Sequence, residues 1–187
     1  MRRNIRLLIS YDGTDFAGWQ IQARDRSVQG VLEEALADLH GKPVSITGAG
    51  RTDSGVHASG QVGNFYTEKD GIPDWKFREA LNVRLPRDVR ILKSDEVPES
   101  FHSRRDAVNR QYEYHLLEGF AGPAHRTRFT WLVKTMPPIA QLNDLASELC
   151  GVHDFTTFTA AGDASESKVR EIRQAVFLNR GPETVFR

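Results

Sequence analysis

Residues 27–43 constrain the fold more than any other stretch of the chain. Val28, Val31, Leu32, Ala35, Leu36 and Leu39 recur at intervals that lay one continuous apolar stripe along an α-helix. Ser27 stands where an N-cap is needed, and His40-Gly41-Lys42-Pro43 closes the helix. Such a stripe has to be buried, and its neighbours read as strands. Ile5, Leu7, Ile9 and Tyr11 alternate with Arg6, Leu8 and Ser10 and end at Asp12-Gly13. Residues 44–47 and 61–67 read as two further strands either side of a glycine-rich connection, 48–60. A second helix is predicted to begin near Asp74, carry Trp75, Phe77, Ala80 and Leu81, and stop before Pro86, with a short strand at 89–92. Strand, helix, strand, strand, helix, strand is the order of an α+β sheet with helices on one face.

Past residue 107 the elements are sparser. A strand is predicted at 112–117 and a third helix on Ile139, Leu142, Leu145, Ala146 and Leu149, after Pro137-Pro138 and before Gly151. Strands at 170–178 and 184–187 follow. The chain is accordingly divided into 1–106 and 107–187, and the second half reads as incomplete. The final strand is expected to lack a partner, leaving an apolar face near Phe177, Val185 and Phe186 uncovered.

The composition, 39% hydrophobic and 27% charged, is that of a soluble globular protein. The 25 Lys and Arg balance the 25 Asp and Glu, so a nucleic-acid role has to rest on where the basic residues sit. Met1-Arg2-Arg3 is basic, but no uninterrupted apolar run follows it, and no segment approaches the roughly 20 residues of a membrane span. A cytoplasmic protein without membrane association is expected. The single Cys150 cannot form an internal disulfide. At the apolar end of the third helix it is expected to be a buried structural thiol.

The chemistry concentrates in residues 48–58, where glycines surround the carboxylate of Asp53. Glycines allow a tight loop that another chain can approach closely. Arg51 offers a fork for phosphate, and Thr52, Ser54 and His57 could hold the loop by hydrogen bonds. From the residues alone, the plainer reading prevails, a turn with Arg51 paired to Asp53. A hydrolase using Asp53 and His57 ranks far behind, since no further His, Ser or Cys arrangement supports it. No Cys or His spacing matches a ligand set, so no metal is expected.

Residues 50–58, GRTDSGVHA, resemble the GRTDAGVHA motif of the TruA-type tRNA pseudouridine synthases, with Ser54 in place of the usual alanine. Further stretches are similar to that family in the same order. They are Tyr11-Asp12-Gly13-Thr14 with Gly18-Trp19-Gln20, then Ser27-Val28-Gln29-Gly30, then Leu81-Asn82 with Leu85-Pro86. Phe101-His102-Ser103-Arg104 with Arg110-Gln111-Tyr112-Glu113-Tyr114 follows, and the run 153–158, HDFTTF, is the last. Of the aromatic residues in or near these stretches, Trp19, Trp75 and Phe155 read as packing residues rather than base-stacking platforms.

The resemblance implies an isomerase that converts uridine to pseudouridine in the anticodon stem-loop of tRNA, around positions 38 to 40, and works as a homodimer. It assigns the nucleophile to Asp53 and a substrate contact to Tyr112. It assigns RNA binding and base flipping to Phe101, His102, Ser103, Arg104 and Arg105, with Arg51 beside the nucleophile in the same role. No cofactor is implied, because the chemistry needs neither a redox step nor an activated phosphate. The implied fold is the α+β pseudouridine-synthase fold, two ferredoxin-like halves around a central cleft. This chain departs from the family in having no match, up to Arg187, to the segment whose arginine pairs with the catalytic aspartate. A C-terminally truncated, inactive RNA-binding remnant of the same family is therefore the alternative expectation.

Overall fold

In the computed structural model, which describes residues 1–159 and 167–187, the chain divides into two units, Met1–Asn109 and Arg110–Arg187. The first contains β1 (Arg3–Tyr11), α1 (Val28–His40), β2 (Ile46–Gly48), β3 (Ala58–Thr67), α2 (Phe77–Asn82) and β4 (Val89–Val97). The element order is the one expected from the sequence. The strands form an antiparallel sheet in the order β2-β3-β1-β4, with β1 in the interior, its residues Arg3 to Tyr11 paired to β3 on one side and Asn4 to Tyr11 to β4 on the other.

One core unites the sheet and both helices. Ile5, Leu7 and Ile9 of β1 are fully buried, as are Val28, Leu32 and Leu36 of α1. Each such side chain contributes about 1.5–3 kcal/mol relative to leaving it in water. Ser27 caps α1 by accepting the Gly30 N–H (3.2 Å), and Gly41 ends it at φ +70° with its N–H on Ala37 O (2.7 Å). In α2 only Phe77 and Leu81, four residues apart, enter the core. Trp75 precedes that helix on a short 3₁₀ turn and is 53% exposed, so it is not the packing residue the sequence indicated.

The second unit contains β5 (Tyr114–Glu118), β6 (Trp131–Val133), α3 (Ile139–Ser147), β7 (Gly151–Asp154), β8 (Val169–Ile172), β9 (Phe177–Arg180) and β10 (Glu183–Phe186). Strands β6-β5-β10-β9 form one sheet, and β7 and β8 pair separately. The strand expected across 170–178 is thus two strands in two sheets. β6 and β7, three and four residues long, are too short to show a period.

Two further expectations are corrected here. β10 is paired on both sides, by β5 and β9, Val185 is fully buried, and Phe177 and Phe186 stack at 4.6 Å. The last segment is therefore neither unpaired nor uncovered at Val185. Cys150 is exposed, because α3 ends at Ser147 and the thiol falls in the turn beyond the apolar stripe. Among the described residues no helix is long and apolar enough to cross a membrane.

Candidate active site

Asp53 lies on the connection between β2 and β3, and the packing around that connection explains its composition. It leaves β2 at Gly48, where a Cβ would stand 2.5 Å from the Trp19 ring. Ala49 N–H donates to Val62 O, and Gln61 Nε2 donates to Gly50 O (2.8 Å each). Thr52 is then held at two atoms. Its carbonyl accepts the Trp19 N–H (3.0 Å), and its hydroxyl bonds the Tyr11 hydroxyl (2.8 Å). Gly18, at φ +109°, presses on the same spot, where a Cβ would lie 2.6 Å from Thr52 O.

Beyond Asp53 the chain is pinned again. The Gly55 N–H and the Ser54 hydroxyl both donate to Phe16 O, at 3.2 Å. Val56 N–H closes a turn onto Asp53 O (3.2 Å). His57 Nδ1 accepts the Gly13 N–H (3.0 Å) and lies 3.1 Å from Asp12 Oδ1. Gly13 itself is overlain by the Val56 carbonyl, leaving no room for a side chain. Thr52, Ser54 and His57 thus hold the loop by hydrogen bonds.

Between these anchors the Asp53 side chain is exposed, and its carboxylate has no partner among the described residues. Arg51, also exposed, makes no ion pair with it. Among the described residues no cluster of three potential metal ligands occurs.

The turn 101–106 belongs to the same unit and rests on two buried asparagines. Asn4 Nδ2 donates to Phe101 O (2.9 Å), and Asn4 Oδ1 accepts Asn64 Nδ2 (2.9 Å). Asn64 Oδ1 in turn accepts the Ser103 N–H (3.0 Å). Ser103 is 2% exposed and its hydroxyl donates to Thr47 O (2.6 Å). That side chain anchors the turn and is not presented outward, unlike the role the resemblance implied. His102 Nδ1 accepts the backbone N–H groups of Arg104 and Arg105 (3.3 and 3.4 Å).

The structure brings Arg51, His102 and Arg104 together around a pocket of about 330 Å³ that Trp19 and Gln20 also line. The guanidiniums of Arg51, Arg104 and Arg105 have no partner among the described residues, whereas Arg3, Arg6, Arg26 and Arg84 are each paired to a carboxylate. Phe101 is half-buried, with the Arg6 guanidinium 5.8 Å from its ring centre. Tyr112 belongs to the second unit, ahead of β5, and is 60% exposed.

Residues 7–106, the span holding this loop and turn, match the family model of the tRNA pseudouridine synthases. Over 190 aligned residues the chain is 44% identical to tRNA pseudouridine synthase A of Treponema denticola, covering 99% of this chain and 71% of that protein. It is 40% identical to the enzyme of the same name from Brachyspira hyodysenteriae, over 98% of this chain and 74% of that protein. For Geobacter sp. the identity is 41%, over 96% and 72%. The chain belongs to the tRNA pseudouridine synthase family.

Membership places it among isomerases. It also gives the two opening motifs a shared purpose, because Tyr11, Gly13, Gly18 and Trp19 form the bed of the Asp53 loop. The contribution of Tyr11 and of the Asn4–Asn64 pair to the site is not legible in the sequence. Tyr11 opens the first family-like stretch, but as the last apolar position of a strand it gives no sign that its hydroxyl reaches the loop, and the asparagines carry no signal beyond being polar.

Proposed function

We propose that this protein isomerises uridine to pseudouridine in tRNA with Asp53 as the nucleophile. The observation that carries the reading is the state of that carboxylate: exposed and unpartnered on a loop pinned at Thr52 before it and at Ser54 and Gly55 after it. A nucleophile held this way loses little orientation at the moment of attack. The reaction breaks the bond from ribose C1′ to uracil N1 and forms one from C1′ to C5. The proton lost at C5 is balanced by one gained at N1, so no electrons are exchanged with a partner.

A stacked uridine is out of reach of any side chain, so the base is flipped out before reaction. Arg51, Arg104 and Arg105 supply guanidiniums for phosphate, and Phe101 and His102 supply rings for the vacated stack. Tyr112 packs on the target base. Ser103 contributes by anchoring the turn. The target lies in the anticodon stem-loop, around positions 38 to 40, and the protein acts as a homodimer. The strand order β2-β3-β1-β4 with two helices supports a ferredoxin-like first half.

Incubating an unmodified tRNA transcript with the protein and mapping pseudouridine tests this. Product is expected at uridines 38 to 40. Product only elsewhere overturns the target assignment, and no product overturns the activity.

A further inference from the structure

The pocket beside the Asp53 loop has an unusual lining. Arg51, His102 and Arg104 stand on it, and none of its lining residues is acidic. At about 330 Å³ it lies at the lower end of the range of ligand pockets, roughly 300–1,000 Å³. His102 uses Nδ1 to accept the Arg104 and Arg105 N–H groups, so the proton of the neutral ring sits on Nε2, away from the turn. Two guanidiniums and an imidazole N–H around one polar pocket suit a phosphate.

A second feature orients the other wall. Glu33 Oε1 accepts the Ile46 N–H (3.1 Å) and Gln29 Nε2 (2.9 Å), which fixes the Gln29 amide with its nitrogen toward the carboxylate. Gln29 Oε1 is then turned to accept Gln20 Nε2 (3.0 Å). The relay leaves Gln20 with its Oε1 and one N–H uncommitted among the described residues, at the pocket. An amide offering one acceptor and one donor is the side chain that pairs with the edge of a nucleobase.

We propose that this pocket is a second nucleotide subsite, holding the nucleotide next to the flipped uridine. Its phosphate lies between Arg51 and Arg104, and its base edge lies against Gln20. This rests on the reading of Asp53 as the site of uridine isomerisation.

The test uses three stem-loop RNAs: one intact, one lacking the base 5′ to the target uridine, and one lacking the base 3′ to it. With the wild-type protein, removing the base on one side lowers kcat/KM about tenfold. Gln20→Leu, its fold checked by thermal melting, loses about as much on intact RNA and nothing further on that abasic RNA. Should Gln20→Leu fail to fold, Gln20→Glu keeps the shape and is expected to show the same pattern with a larger loss. Arg104→Ala weakens binding of all three RNAs equally. Wild-type rates from the Gln20 variants, or losses that add fully on both abasic RNAs, overturn the subsite. Unchanged binding by Arg104→Ala overturns its phosphate. Turnover of intact RNA by the wild type keeps these outcomes separate from the reading of Asp53, since absence of all turnover sinks that reading first.

Discussion

At the scale of single residues, the aspartate and the arginine beside it were legible because a nine-residue pattern frames them. What the sequence could not separate was a paired Arg51 from a free one. The structure leaves Arg51, Arg104 and Arg105 unpaired among the described residues, in a chain whose charges sum to zero and where many other arginines meet carboxylates. Ser103 shows the opposite limit. A serine between a histidine and two arginines reads as part of a polar surface, yet it is buried because Thr47 O and Asn64 Oδ1 lie within reach. The free arginines predict that tRNA affinity falls steeply with added salt. Arg104→Ala makes that slope shallower by about one unit, the value of one phosphate contact. Binding isotherms at several salt concentrations check it, and a salt-independent affinity contradicts it.

At the scale of elements, α1 is readable from its stripe and caps, whereas the end of α3 is not. The stripe 139–149 has helical spacing throughout, but the helix stops at Ser147, and Leu149 and Cys150 are exposed. Periodicity records which residues would share a face if the helix continued. It does not record where the helix ends. The loop carrying Asp53 depends on contacts remote in sequence, which no local pattern shows. Gly18 and Gly41 separate the two effects of a left-handed glycine. Gly41→Ala, at φ +70° with open space around it, is expected to cost about 1 kcal/mol and leave turnover unchanged. Gly18→Ala adds a clash with Thr52 O to the strain at φ +109°. It is expected to cost about 3 kcal/mol and to lower turnover as well, by displacing Asp53. Urea unfolding with parallel activity assays checks the pair, and equal effects contradict the account of the loop.

At the scale of the whole molecule, the two units differ in how much the sequence disclosed. The first follows a long-period order of strands and helices around one core. The second is built from strands of three to five residues, several paired across large separations, and its sheet order was not visible. The half-buried His40 is expected to make the stability of the first unit sensitive to pH. Burial pushes the His40 imidazole below its ordinary 6.5, and nearby Lys69 and Lys42 act the same way against the bond to Leu36 O. The unfolded ring therefore takes up its proton first, and the stability due to the neutral ring is present above about pH 6.5 and lost as pH falls below it. The urea midpoint is expected to drop between about pH 7.5 and 5.5, and to drop less in His40→Gln. Identical pH dependence in both contradicts this. Whether the pinned, unpartnered carboxylate of Asp53 performs the chemistry is tested by release of tritium from tRNA labelled at uridine C5, with wild-type protein and with Asp53→Asn, alongside tRNA binding. Release is expected from the wild type and not from Asp53→Asn, with binding by both. Release by Asp53→Asn at the wild-type rate would contradict that role.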